Sequence, residues 1–352
     1  MDFQALNELI APPDEQARAA SIAQWNRVAK PIGSLGLLED AVAQIAALTG
    51  SADVALDKRA VVVMCADNGV VDEGVSQVGS EITALIASGI ARGTSSVCRM
   101  ARTARVDAIA VDVGMRTPAG EAEVLNRCVA RGTANIAHGP ALTAIELDRA
   151  IQVGVDLAGN LKAQGYDIVA VGEMGIGNTT TAAAVTAVLT DLQLDEIVGY
   201  GAGLSQEAYR RKLGIVKQAL ELNRPAKFDA YDALLKVGGL DIAAMTGAFI
   251  GGGVHRVPLI VDGFISAVAA RCATLLCPIC RDALLASHVS AEPAAARLLN
   301  DMGLSPIINA NIHLGEGAGA VCLIPLLDMA VSLYNGSTFD EVGMRAYEVS
   351  PR

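Results

Sequence analysis

Acidic side chains set beside glycine-rich segments are the residues of this chain best suited to chemistry. The segment Gly172-Glu-Met-Gly-Ile-Gly-Asn-Thr-Thr180 follows an apolar run and opens a stretch of helical pattern from Thr180 to Thr190. Glycines at 175 and 177 let the backbone approach a ligand closely, and a helix N-terminus offers free N–H groups to a phosphate. Asn178 and the hydroxyls of Thr179–Thr181 add donors. The segment reads as a phosphate cradle, with a simple tight turn as the competing reading. It is not a Walker A loop, since no Lys-Ser/Thr pair follows the glycines, and the G-x-G-x-x-G dinucleotide spacing is absent. A second cluster, Gly199–Gly203, precedes a helix bearing Arg210, Arg211 and Lys212. The two arginines read as a solvated face, whereas Lys212 could supply a point charge to a phosphate.

A third cluster, Leu314-Gly-Glu-Gly-Ala-Gly319, places Glu316 between glycines. On spacing alone its ordinary reading is a solvated loop residue. The chemical reading is a carboxylate beside bare backbone, able to lie edge-on to a flat ring. An apolar pocket would raise its pKa toward neutrality and make it a working general base. Asp67, Asp112, Glu173 and Asp262 fall where apolar runs end. Taken singly, each reads as turn chemistry; taken together, they point to one shared site. The histidines (His138, His255, His288, His313) lack H-x-x-x-H or H-E-x-x-H spacing, so no metal is expected. No G-x-S-x-G elbow supports serine hydrolysis.

The elements that must position these groups follow from pattern. Apolar runs at Arg59–Cys65, Val106–Val113, Tyr166–Val171 and Val257–Val261 are continuous rather than alternating, which suits parallel strands buried on both faces. Between them, Thr143-Ala-Ile-Glu146 forms a capping box for a helix to about Gln164, and Ser205 caps another to about Leu222. Alternation of strand and helix predicts an α/β fold with a parallel sheet and right-handed crossovers. The ends differ. Residues 1–57 read as helices broken at Pro12-Pro13 and by the Lys30–Gly36 loop. From about Gly317 the pattern is one long apolar helix, a turn at Asn335-Gly336-Ser337 and a short final helix. The termini are therefore expected to pack together as a small helical domain.

Composition excludes several classes. With 27 basic and 38 acidic side chains the net charge is −11, the wrong sign for a nucleic-acid surface. A hydrophobic content of 52% rules out a disordered chain, and aromatics at 3% leave an aliphatic core. Mean hydropathy is +0.40, yet the most apolar long window, Leu259–Cys280, contains Asp262 and Arg271, which are costly at bilayer depth. No membrane span is expected, and MDFQALNELI lacks the basic start of a signal peptide. Seven cysteines, an odd number scattered through the chain, suit reduced thiols in the cytoplasm, with Cys277 and Cys280 as buried hydrophobes.

In combination these segments resemble the nicotinate-nucleotide–dimethylbenzimidazole phosphoribosyltransferase family of cobamide assembly. The matching stretches are Lys30–Glu39, Asp67–Thr83, Gly172–Thr180, Gly199–Lys212, Gly238–Ile265, Ser287–Pro293 and Leu314–Gly319, in one order along nearly the whole chain. The resemblance implies a Rossmann-like sheet domain over 58–316, with 1–57 and 317–352 as the small helical domain, and a homodimer. It implies transfer of phosphoribose from nicotinate mononucleotide to 5,6-dimethylbenzimidazole, with no cofactor. Glu316 matches the family's general base. Glu173, Gly175, Ile176, Gly177, Asn178, Thr179 and Lys212 match its nucleotide contacts, and Ser80, Gly201, Asp262, Ser290 and Leu314 complete the expected substrate site. Many members read Asp-His-Gly where this chain has Asp67-Asn68-Gly69. Gln77-Val78-Gly79-Ser80 replaces an aromatic-Pro-Gln stretch, Tyr200 stands where Arg is common, and Ala294 where Gly is common. These departures leave the choice among benzimidazole, purine and phenolic bases open. The rival readings are a NAD-dependent dehydrogenase, disfavoured by the missing dinucleotide fingerprint, and a non-catalytic nucleotide sensor, disfavoured by the intact Gly315-Glu316-Gly317.

Overall fold

The computed structural model describes residues 1–201 and 203–347, so Ala202 of the second glycine cluster and the last residues of the C-terminal segment lie outside the described residues. Six parallel strands form one sheet: β1 (Arg59–Ala66), β2 (Asp107–Gly114), β3 (Leu125–Asn126), β4 (Ile168–Met174), β5 (Leu259–Val261) and β6 (Leu284–Ala286). Their spatial order is β3-β2-β1-β4-β5-β6, the doubly wound order of Rossmann-like sheets. The expected α/β class holds.

Burial on both faces explains the unbroken apolar runs. In β1, Ala60, Val62, Met64 and Ala66 enter one core, while Val61, Val63 and Cys65 enter the other. The first core is roofed by α1 (Phe3–Leu9), α6 (Ala144–Ala163), α7 (Asn178–Leu189), α8 (Leu194–Ile197), α9 (Gln206–Asn223), α10 (Ala230–Val237), α11 (Leu240–His255), α12 (Phe264–Leu276) and α13 (Ala295–Asp301). The second is roofed by α2 (Glu15–Arg27), α3 (Leu37–Thr49), α4 (Glu81–Ala91), α5 (Ser96–Ala104) and α14 (Ala318–Tyr334). Thr143 and Glu146 form the expected capping box at α6, and Ser205 caps α9. Chain ends meet on the second face: Trp25 packs edge-on to Tyr334 at 5.0 Å, and Phe339 N–H donates to the Arg27 carbonyl.

Three expectations need correction. β4 does not stop at Val171; Cys65 pairs with Met174, so Gly172 and Glu173 are strand residues. β3 and β6 add to the expected strands, being too short to show a pattern in sequence. No helix follows Ser337 among the described residues; turns pinned by the buried Phe339 run there instead. Among the described residues no helix is long and apolar enough to cross a membrane, and all seven cysteines are free.

Candidate active site

A cleft of about 240 Å³ opens beyond the carboxyl ends of β4, β5 and β6. Its walls are Glu173–Ile176 with Asn178 and Thr179, the start of α12 from Asp262, the segment after β6 with His288, Ser290 and Glu292, and His313–Glu316. Gly201 closes one end.

The 172–180 loop turns at Gly177, whose φ of +90° places the N-cap of α7 in the left-handed region that glycine tolerates. Thr83 steadies the loop from α4: its Oγ1 accepts from Ile176 N–H at 3.3 Å and donates to Asp67 at 2.6 Å. Behind the loop Lys212 is fully buried. Its Nζ donates to Thr179 Oγ1 at 2.9 Å and to the Gly199 carbonyl at 3.1 Å, leaving one of its three N–H donors unassigned. Burial lowers its pKa to about 8, opposed by the Glu292 carboxylate. Glu292 Oε2 is itself buried, with no hydrogen-bond partner among the described residues.

Glu316 occupies an unusual stretch of backbone. Gly315, Glu316 and Gly317 all have positive φ, +80°, +58° and +81°. Such a residue costs strain unless its surroundings hold it. Two contacts do so: Glu316 N–H donates to the Glu173 carbonyl at 3.2 Å, and its Oε2 accepts from Val97 N–H at 3.3 Å in the first turn of α5. Burial raises the Glu316 pKa, while Val97 N–H and Ser95 oppose the rise. Beside it, a Cβ on Gly172 would stand 2.2 Å from Gly317 N, so β4 and the 315–317 turn touch backbone to backbone.

The neighbouring carboxyls are also perturbed. Glu173 is pushed up to about 8, chiefly by burial, with Asp241, Asp262 and Glu316 adding to the rise and the Asn178 hydrogen bond opposing it. Asp241 rises to about 6 for the same first reason. Asp262 is raised by burial against the opposing His288, and its Oδ1 accepts from Ala320 N–H at 2.8 Å, capping α14.

Of the expected site residues, Glu173, Gly175, Ile176, Asn178, Thr179, Gly201, Asp262, Ser290, Leu314 and Glu316 line the cleft. Gly177 sets the turn and Lys212 stands behind Thr179. Ser80 does not line it; it is the N-cap residue of α4, its Oγ buried with no partner among the described residues. The four strand-end acids do not share one site. Asp67 is closed off by Thr83 Oγ1 and Arg116 N–H, and Asp112 by Met115 N–H and Arg131. Sequence reasoning missed His288, Glu292, His313 and the buried Asp241. The one advance signal is that Asp241, His288 and Glu292 sit in the otherwise unexplained segments Gly238–Ile265 and Ser287–Pro293. Among the described residues no group of His, Cys, Asp and Glu could hold a metal ion.

Comparison with known proteins places this geometry. A family model described as phosphoribosyltransferase matches residues 10–344. The nicotinate-nucleotide–dimethylbenzimidazole phosphoribosyltransferase of Acetivibrio thermocellus is 42% identical over 347 residues, 98% of each chain. That of Clostridium acetobutylicum is 40% identical over 349 residues, 99% of each. Among solved structures, the fold is similar to CobT from Thermus thermophilus, with a TM-score of 0.89 and 36% identity over 94% of this chain and 100% of that one.

Proposed function

This chain belongs to the nicotinate-nucleotide–dimethylbenzimidazole phosphoribosyltransferase family, and from that premise we propose that it moves the 5-phosphoribosyl group of nicotinate mononucleotide onto a benzimidazole-type base in cobamide biosynthesis. Membership sets aside the dehydrogenase and sensor readings. The observation that carries the reading is Glu316, a carboxylate held by backbone at the edge of the cleft, with its pKa raised by burial.

The pyridinium of the nucleotide is already an activated leaving group, so the departing ring needs little acid catalysis. A base nitrogen attacks C1′ from the face opposite nicotinate and inverts the anomeric centre. The other ring nitrogen then loses its proton, and Glu316 accepts it. The phosphate lies against the α7 N-terminus and Lys212, where helix dipole and ammonium both favour an anion. Asp262, Ser290 and Gly201 face the ribosyl group, and Leu314 the incoming ring. Holding two flat rings in line across one carbon supplies much of the rate.

Incubation with nicotinate mononucleotide and 5,6-dimethylbenzimidazole is expected to release nicotinate and form α-ribazole 5′-phosphate; nicotinate release that ignores the base sinks the reading. By resemblance, Gln77–Ser80 replaces bulkier family side chains, and on that ground, not on contact with the cleft, a permissive choice of base is proposed. In competition, dimethylbenzimidazole, benzimidazole, adenine and a cresol should all react, since one missing methylene-sized contact discriminates by only about 1–3 kcal/mol. Exclusive use of dimethylbenzimidazole refutes that openness.

The proposal extends to organisation. The antiparallel bridge between Val28 and Thr338 and the Trp25–Tyr334 contact support 1–57 with 317–352 as a small helical unit on a 58–316 catalytic unit. A homodimer, as the family resemblance implies, is to be read from solution mass, and the free thiols support a cytoplasmic setting.

A further inference from the structure

Beneath the 172–180 loop lies a carboxylate that does not reach the cleft. Asp241 opens α11 and is 0% exposed. Both of its oxygens are occupied: Oδ1 accepts from Ile242 N–H at 3.0 Å, and Oδ2 accepts from Asn178 Nδ2 at 2.9 Å. Asn178 Nδ2 also donates to Glu173 Oε2 in the cleft wall. One amide nitrogen, with two N–H bonds, thus ties a buried carboxyl to an active-site carboxyl. The packing leaves no slack. A Cβ on Gly175 would stand 2.5 Å from Asp241 Oδ2, and one on Gly239 would stand 2.5 Å from Asp241 Oδ1.

We propose that Asp241 is a positioning residue for the transfer reaction: by anchoring Asn178 from below, it fixes the 175–179 loop and the Glu173 carboxyl against the nucleotide. The inference rests on the reading of that loop as the nucleotide site. A carboxylate is required because both of its neighbours are donors; an amide in its place accepts from one and confronts the other with an N–H. The charge acts as well. Glu173 faces Asp241 from α11, Asp262 from the end of β5 and Glu316 from the turn before α14, with Asn178 as its donor. Asp241 in turn faces Glu173 and Asp67. Removing the Asp241 charge therefore moves Glu173 ionisation toward acid.

The test is a double-mutant cycle on the full chain with Asp241→Asn, Asn178→Ala and the pair, following KM for nicotinate mononucleotide and for dimethylbenzimidazole, kcat/KM from about pH 6 to about pH 9, and the unfolding midpoint. Asp241→Asn is expected to raise the nucleotide KM about tenfold while the base KM stays within about twofold, the scale for stranding one buried donor. In the Asn178→Ala background the same change should add almost nothing, and the pH profile of Asp241→Asn should shift to lower pH. Additive effects, or a lowered midpoint with nucleotide KM and pH profile unchanged, overturn the proposal and leave Asp241 a structural residue. Should Asp241→Asn not fold, Asp241→Ser carries the same cycle. Failure of the underlying reading looks different: Asn178→Ala alone would then leave the nucleotide KM unchanged.

Discussion

The two halves of the sheet treat the same sequence signal in opposite ways. Asp67 follows β1 and Asp112 lies two residues before the end of β2; Glu173 is the penultimate residue of β4 and Asp262 follows β5. On the first half the chain folds back over the strand ends. Gly69 N–H donates to Thr133 Oγ1, Arg116 pairs with Asp72 at 3.0 Å, and the two aspartates are consumed by backbone and hydroxyl donors. On the second half β4 and β5 pass almost directly into helices, Met174 to Asn178 and Val261 to Phe264, so two helix N-termini rim an open cleft, and the longer segment between Ala286 and Ala295 supplies another wall. Of these four acids, the two that line the cleft are those followed by short connections.

That contrast can be broken most forcefully at Glu316. Glu316→Gln should keep the fold and substrate binding and lower turnover about a hundredfold or more, the usual scale for losing a general base. Near-normal turnover would remove the cleft half's claim to the chemistry. Next in size, Gly177→Val forces a β-branched residue to a φ of +90° and sets its Cβ 2.7 Å from Val71 Cγ2. Nicotinate mononucleotide should bind about tenfold or more weaker, with the base little affected; equal weakening of both substrates argues against the loop as phosphate site.

A smaller effect is expected with pH. Lys212 titrates near 8, so its ammonium is charged below that value and neutral above it. Nucleotide KM should rise several-fold between about pH 7 and about pH 9, and Lys212→Arg, charged throughout, should flatten the rise. A rise that persists in the arginine variant assigns the titration elsewhere. Smallest of all, Asp112→Asn on the sealed half should leave turnover within about twofold while lowering stability by about 1–3 kcal/mol, read by denaturant unfolding. A large loss of turnover there would erase the distinction between the halves.

What the sequence made legible follows the same division. Strands buried on both faces announce themselves, and so do caps such as Thr143 and Ser205, because each is written in neighbouring residues. The Gly172–Thr180 cradle and the Glu316 turn are equally local. β6 is three residues long and β3 two, too short for any period to register. Glu173 sits within a strand because Cys65 pairs with Met174, a pairing set by β1 rather than by the glycine beside it. Asp241 meets Asn178 across 63 positions of chain, and the Glu292 carboxylate acts on Lys212 from another loop. Such meetings belong to the crossovers and are written in no single segment. Ser80 shows the converse: family resemblance marks it for the substrate site, yet its local role is to begin α4 outside the cleft wall.

The contact between Gly172 and Gly317 works as a gauge block. It joins the strand that carries Glu173 to the turn that carries Glu316: main-chain atoms of the two glycines face each other there, with Val61 Cγ2 of β1 packed against Gly317. Main chain has no rotamers to hop, so the separation between the Glu173 strand and the Glu316 turn has a hard lower stop. A methyl added at Gly172 would stand 2.2 Å from Gly317 N, main chain that has to move for it to fit.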